Sequence, residues 1–81
     1  MTKISDNDVL EIIRKALDLK KQKITLDSTS ENVAEWDSLG HLGILMELDK
    51  VFDKKVGRIS EMAAAGSVKQ ILQLLKDNSL I

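Results

Sequence analysis

The chain has 81 residues, 43% of them apolar, with no cysteine, no proline and one histidine. That length sets a single domain over residues 1–81, the missing cysteines exclude disulfides and thiolate metal sites, and a lone histidine argues against a transition-metal centre. The formal charge of −1 removes any global electrostatic case for nucleic acid, and no apolar run approaches the ~18 residues of a membrane span.

Without proline or long alternation of Val, Ile and Thr, the expected fold is all-α. The first helix is expected from Ser5 to about Lys21. Ser5 serves as its cap, Asp6 and Asp8 sit beside the positive dipole end, and Lys20, Lys21 and Lys23 lie near the negative end. Val9, Ile12, Ile13, Ala16 and Leu17 recur at helical spacing. Residues 22–37 hold the turn and cap formers Asp27, Ser28, Thr29, Ser30 and Asn32. Ile24, Leu26, Val33 and Ala34 are expected to pin this long loop to the core, so it is read as ordered.

The second helix is expected from Ser38 to Phe52, capped by Asp37 and closed by Lys54, Lys55 and Gly57. A short helical piece follows over 58–65, with Ile59 and Met62 inward. Ser67 and Gln70 have capping-box spacing before a last helix whose inner face is Val68, Ile71, Leu72 and Leu75. Together these make a small four-helix bundle: three main helices, a short third one and a long first loop.

The second helix carries more apolar surface than one core face needs. On a wheel with Ser38 at zero, Ile44, Leu45, Leu48, Val51 and Phe52 occupy an arc of roughly 220–340°. Leu42 and Met46 fall outside it, near ~40° and ~80°, beside Asp49 and Asp53. Either the helix is buried on two sides or these residues form an exposed partner patch rimmed by carboxylates. Gly40 and Gly43 lie inside the same helix, where each costs up to about 1 kcal/mol relative to alanine. They mark either close packing or a place where a ligand meets the backbone just after Ser38.

With Asp37 as cap, Ser38 stands at the first helical position, where free N–H groups and the dipole favour an attached phosphate. His41 is the one candidate base nearby, but a Ser38–His41–Asp37 hydrolase would lack the nucleophile elbow of one large hydrolase class. Charge is uneven along the chain. Residues 24–53 carry seven acidic groups and one basic group, flanked by weakly basic ends, as either a solvated surface or a docking face for a basic partner.

Trp36-Asp37-Ser38-Leu39-Gly40-His41-Leu42 resembles the phosphopantetheine attachment motif of acyl carrier proteins and related carrier domains. The helix it opens ends Glu47-Leu48-Asp49-Lys50-Val51-Phe52-Asp53, which is similar to the family's Leu-Glu-x-x-Phe segment. The order and lengths of the expected elements also match, so the resemblance covers nearly the whole chain. It implies a non-enzymatic carrier with 4′-phosphopantetheine esterified to Ser38 by a phosphopantetheinyl transferase that uses coenzyme A. The thiol of that arm carries acyl groups as thioesters between acyl-loading and acyl-transfer enzymes. Asp37 matches the acidic residue before the family's serine. Leu42, Met46 and Asp49 match family positions that contact the transferase and pathway enzymes, and Leu39, Glu47 and Asp53 are expected on the same partner-binding face.

Gly40, Gly43, Lys50 and Gly57 stand where fatty-acid carriers often have acidic, polar or proline residues, and Lys54 and Lys55 follow Lys50. The departures resemble stand-alone carriers of specialised pathways, of lipid or saccharide modification or of secondary metabolism. A cytoplasmic monomer is expected. An aminoacyl or peptidyl carrier, and a helical interaction module without a prosthetic group, remain open.

Overall fold

The computed structural model describes residues 4–19 and 23–81. Three α-helices, α1 (Asp6–Ala16), α2 (Ser38–Val51) and α3 (Val68–Asp77), enclose the core with two 3₁₀ segments, Val56–Arg58 and Ser60–Ala64. The chain is all-α, with no β-strand among the described residues beyond one isolated bridge between Thr29 and Ser67. No described helix is long and apolar enough to cross a membrane.

α1 opens on a reciprocal cap. Ser5 Oγ accepts from the Asp8 N–H at 3.2 Å, and Asp8 Oδ2 accepts from the Ser5 N–H at 3.0 Å. Val9, Ile13 and Leu17 are buried as their spacing predicts, while Ile12 and Ala16 are half-buried. The helix stops earlier than expected. Asp18 turns left-handed at φ 56°, and the Leu19 N–H reaches the Arg14 carbonyl at 3.1 Å. A continued helix would carry Leu19 about 200° around from Leu17, away from the core. The turn buries Leu19 instead. Lys20 and Lys21 lie outside the described residues. The same closing device recurs at Asp53 after α2 and at Ser79 after α3, with left-handed φ of 56° and 60°.

The long loop is ordered because it is stitched to the start of α3. The Val68 N–H donates to the Ser28 carbonyl at 3.1 Å, and the Ser30 N–H donates to the Gly66 carbonyl at 2.8 Å. Buried Ser28 accepts the Thr25 N–H on its hydroxyl. Ile24 and Val33 are buried as expected, but Leu26 and Ala34 are exposed, and the third anchor is Trp36.

The short helical piece expected over 58–65 is the pair of 3₁₀ segments, so the described residues hold three α-helices and two 3₁₀ segments. The cause is visible in the burial pattern. Val56, Ile59, Met62 and Ala65 are all buried, three residues apart. A 3.0-residue repeat keeps such a series on one face, whereas an α-helix rotates it away by about 60° per step. Extended Ile59 separates the two segments.

In α3, Ser67 caps Gln70 as its spacing predicts, and the Gln70 side chain accepts the Gly66 N–H. Val68, Ile71, Leu72 and Leu75 all face the core. On α2, Ile44, Leu48 and Phe52 are buried and Leu45 is half-buried; Val51, at the edge of the expected arc, is exposed.

The two α2 glycines differ in kind. A Cβ on Gly40 would stand 2.1 Å from the Glu35 carbonyl oxygen and 2.8 Å from a Leu17 methyl. The close approach is therefore made by the chain's own loop and by α1. A Cβ on Gly43 meets only the Ala16 carbonyl, at an ordinary 3.5 Å. Gly40→Ala is expected to destabilise by about 2 kcal/mol or more through overpacking. Gly43→Ala should stabilise by about 0.5–1 kcal/mol through helix propensity. Urea unfolding of the two variants checks the opposite signs.

Candidate functional site

The start of α2 is held from the inside and open on the outside. Asp37 has extended backbone, and its Oδ1 accepts the Gly40 N–H at 2.8 Å, so the capping role is filled as expected. Ser38 is the first helical residue and is exposed. Neither its hydroxyl nor its position is needed to cap the helix.

The inside hold is a chain of hydrogen bonds. Trp36, 2% exposed, donates its Nε1–H to His41 Nδ1 at 3.0 Å, with the two rings within 13° of parallel. His41 Nε2 lies 2.7 Å from the Met62 carbonyl oxygen. An indole N–H only donates, so Nδ1 accepts and the proton sits on Nε2, which donates to Met62. Neutral His41 thus satisfies a loop residue and a 3₁₀ residue at once. Both its ring nitrogens are engaged, and neither is free to take a proton from Ser38. This pairing joins the positions just before the cap and in the second turn of the helix, the spacing of a hydrophobic staple. That spacing was present in the sequence; the partner at Met62 was not.

Ser38 opens on a cleft of about 360 Å³. It is lined by Ser30, Asp37, Ser38, His41 and the small residues 63–66, and Ser30 stands against Gly66, whose carbonyl accepts the Ser30 N–H at 2.8 Å. In the sequence Ser30 reads as a turn former and the alanine segment carries no site signal, because only the fold of the loop against α3 brings them here. A second cleft of about 360 Å³ lies between the second 3₁₀ segment and α3, lined by Glu61, Gln73 and Leu74 among others. None of the expected site residues lines it.

Outward from the cleft, Leu39, Leu42 and Met46 are exposed by 79%, 55% and 56%, which decides between the two readings of the α2 surplus: it is an exposed strip. The carboxylates beside it are unequal. Glu47 is half-buried and pairs with Lys50 at 3.1 Å. Asp49 is half-buried and accepts the Gly57 N–H at 2.7 Å, tying α2 to the first 3₁₀ segment. Asp53 is exposed at the left-handed turn. Asp49 therefore has a structural task that the sequence did not reveal, and Asp53 is the carboxylate most open to a partner.

Replacing His41 with alanine strands the Trp36 N–H and the Met62 carbonyl. The expected loss is about 2–3 kcal/mol of stability, measured by urea unfolding. His41→Gln should recover part of it, because an amide supplies both an acceptor and a donor.

No protein-family model matches the chain, and neither a curated protein nor a solved structure matches it at a significant level.

Proposed function

We propose that this protein is an acyl carrier, with a 4′-phosphopantetheine arm on Ser38 and no catalytic residues of its own. The observation that carries this reading is the placement of Ser38. It is exposed at the first position of α2, relieved of capping by Asp37, on the rim of a cleft and in line with an exposed apolar strip. The element order fits the same reading, with the paired 3₁₀ segments standing where a carrier bundle has its short third helix.

The residues present suit such an arm. Helix geometry leaves the Ser38 and Leu39 N–H groups without intrahelical acceptors, and the positive dipole end favours a phosphodiester there. The cleft gives the neighbouring part of a slender chain somewhere to lie. Asp37 fixes the first turn by holding the Gly40 N–H. When bound, the arm would supply the thiol that a chain without cysteine lacks, and with it thioester chemistry. Its attachment joins the phosphoryl end of the arm to Ser38 Oγ, with loss of the hydroxyl proton and departure of the nucleotide part of coenzyme A.

Leu39, Leu42 and Met46 form the surface on which the transferase and the acyl-loading and acyl-transfer enzymes would dock in turn. Methionine adapts to several partners, and exposed Asp53 would steer basic ones, with Glu47 and Asp49 adding to the field. A monomer in the cytoplasm, visiting its partners one at a time, completes the proposal.

Intact mass after incubation with coenzyme A and a broad-specificity phosphopantetheinyl transferase tests it. The expected result is a gain of one phosphopantetheine, absent from Ser38→Ala. Folded protein that gains nothing beside a positive-control carrier, or a gain that survives Ser38→Ala, contradicts it. In the first case an interaction module built on the same apolar strip becomes the better account.

A further inference from the structure

We propose that the end of α2 and the first 3₁₀ segment form a basic docking surface, Lys54, Lys55 and Arg58, that takes the acidic surface of a partner protein. This surface is separate from Ser38. It lies at the other end of a 14-residue helix, about 20 Å away, and none of its residues lines the cleft.

The first support is the pairing of the cations. Arg14, Lys50, Lys69 and Lys76 each lie against a carboxylate, those of Glu11, Glu47, Asp27 and Asp6. Lys54, Lys55 and Arg58 are exposed, and none of the three has an ion pair among the described residues. The Asp49 carboxylate, which could serve them, is spent on the Gly57 N–H at 2.7 Å. The macrodipole of α2 accounts for Lys50 in its last turn but fades well before Arg58.

The backbone also gathers these cations. The Arg58 N–H donates to the Lys55 carbonyl at 3.4 Å, and at three residues per turn the two side chains eclipse on one face. Val56 between them is fully buried, which fixes the inner face of the segment. α1 and α3 each close on one left-handed residue, Asp18 and Ser79, whereas α2 closes on two, Asp53 and Lys54, with φ of 56° and 64°. That conformation is unfavourable for a residue with a Cβ, and strain of this kind is retained where the placement of a side chain matters.

Two observations choose the partner. A phosphate is gathered by unspent backbone N–H groups. Here the N–H groups of Lys54, Lys55, Gly57 and Arg58 are all donated within the chain, so the turn has no cradle for one small anion. Exposed Asp53 stands next to Lys54. A uniformly anionic bilayer repels it, whereas a protein can set a cation opposite Asp53 and carboxylates opposite its basic neighbours. Exposed Val51 adds an apolar contact at the same end. Opposite signs one residue apart then fix how the partner lies along α2.

The experiment follows the amide spectrum of the full chain with three probes: a synthetic peptide of glutamate and alanine, inorganic phosphate, and vesicles of phosphatidylserine and phosphatidylcholine. The peptide is expected to shift the Lys54, Lys55, Gly57 and Arg58 amides, and to bind more weakly at high salt than at low salt. Lys55→Glu with Arg58→Glu is expected to weaken the peptide at least about tenfold, while the charge-matched Lys69→Glu with Lys76→Glu leaves it within about threefold. Unshifted amides at 54–58, an equal loss in the two double variants, or phosphate or vesicles that shift the same amides as strongly as the peptide overturn the proposal.

Discussion

His41 accepts a hydrogen bond from Trp36 and donates one to the Met62 carbonyl, and through these two bonds the long loop, α2 and the second 3₁₀ segment share one fixed point. An 81-residue chain with no cysteine has a small core and no covalent staple. In such a chain a part-buried polar bridge joining three segments restricts how they can pack. Each of its members is satisfied: the indole has an acceptor, the imidazole has both partners, and no buried side-chain nitrogen or oxygen among the described residues lacks a hydrogen bond. A network of this kind rigidifies a unique arrangement only when it is complete.

What the bridge fixes is the entry to α2. Trp36 is pulled inward, Asp37 caps the helix, and Gly40 lets the Glu35 carbonyl and Leu17 approach the first turn closely. Everything that anchors this turn lies on one side. Ser38, Leu39, Leu42 and Met46 are left on the other, exposed along one strip. A helix start held on one side and open on the other suits the proposed arm, which would have to be attached there and recognised by its partners. The stitching of Ser28 and Ser30 to the start of α3 also fixes the part of the cleft where Ser30 meets Gly66.

Much of this was legible in the residues. Helical spacing identified the inner faces of α1 and α3, and the wheel separated Leu42 and Met46 from the core arc of α2. Asp37 and Ser38 read correctly as cap and first helical residue. What escaped was decided by tertiary contacts or by a finer period. α1 ends early because Leu19 is more favourably placed in the core than on a longer helix. The residues at 56, 59, 62 and 65 display a three-residue repeat, which specifies 3₁₀ geometry once taken as a period of its own. The pairing of Trp36 with His41 was latent in staple spacing, but Met62 lies 21 residues from His41 and no local rule connects them. The same holds for Asp49, whose carboxylate serves Gly57 eight residues on, and for Ser30, which reaches the cleft through the fold of the loop.

The chain has a single tryptophan, so its indole N–H gives one resolved resonance and reports directly on the bridge. Hydrogen exchange of that resonance is the most direct test of whether Trp36, His41 and Met62 hold the entry to α2. The account predicts an indole N–H strongly protected from solvent, exchanging together with the core amides of α2 when the protein opens. An indole that exchanges at the rate of a free side chain while the core amides of Ile44 and Leu48 stay protected would contradict it.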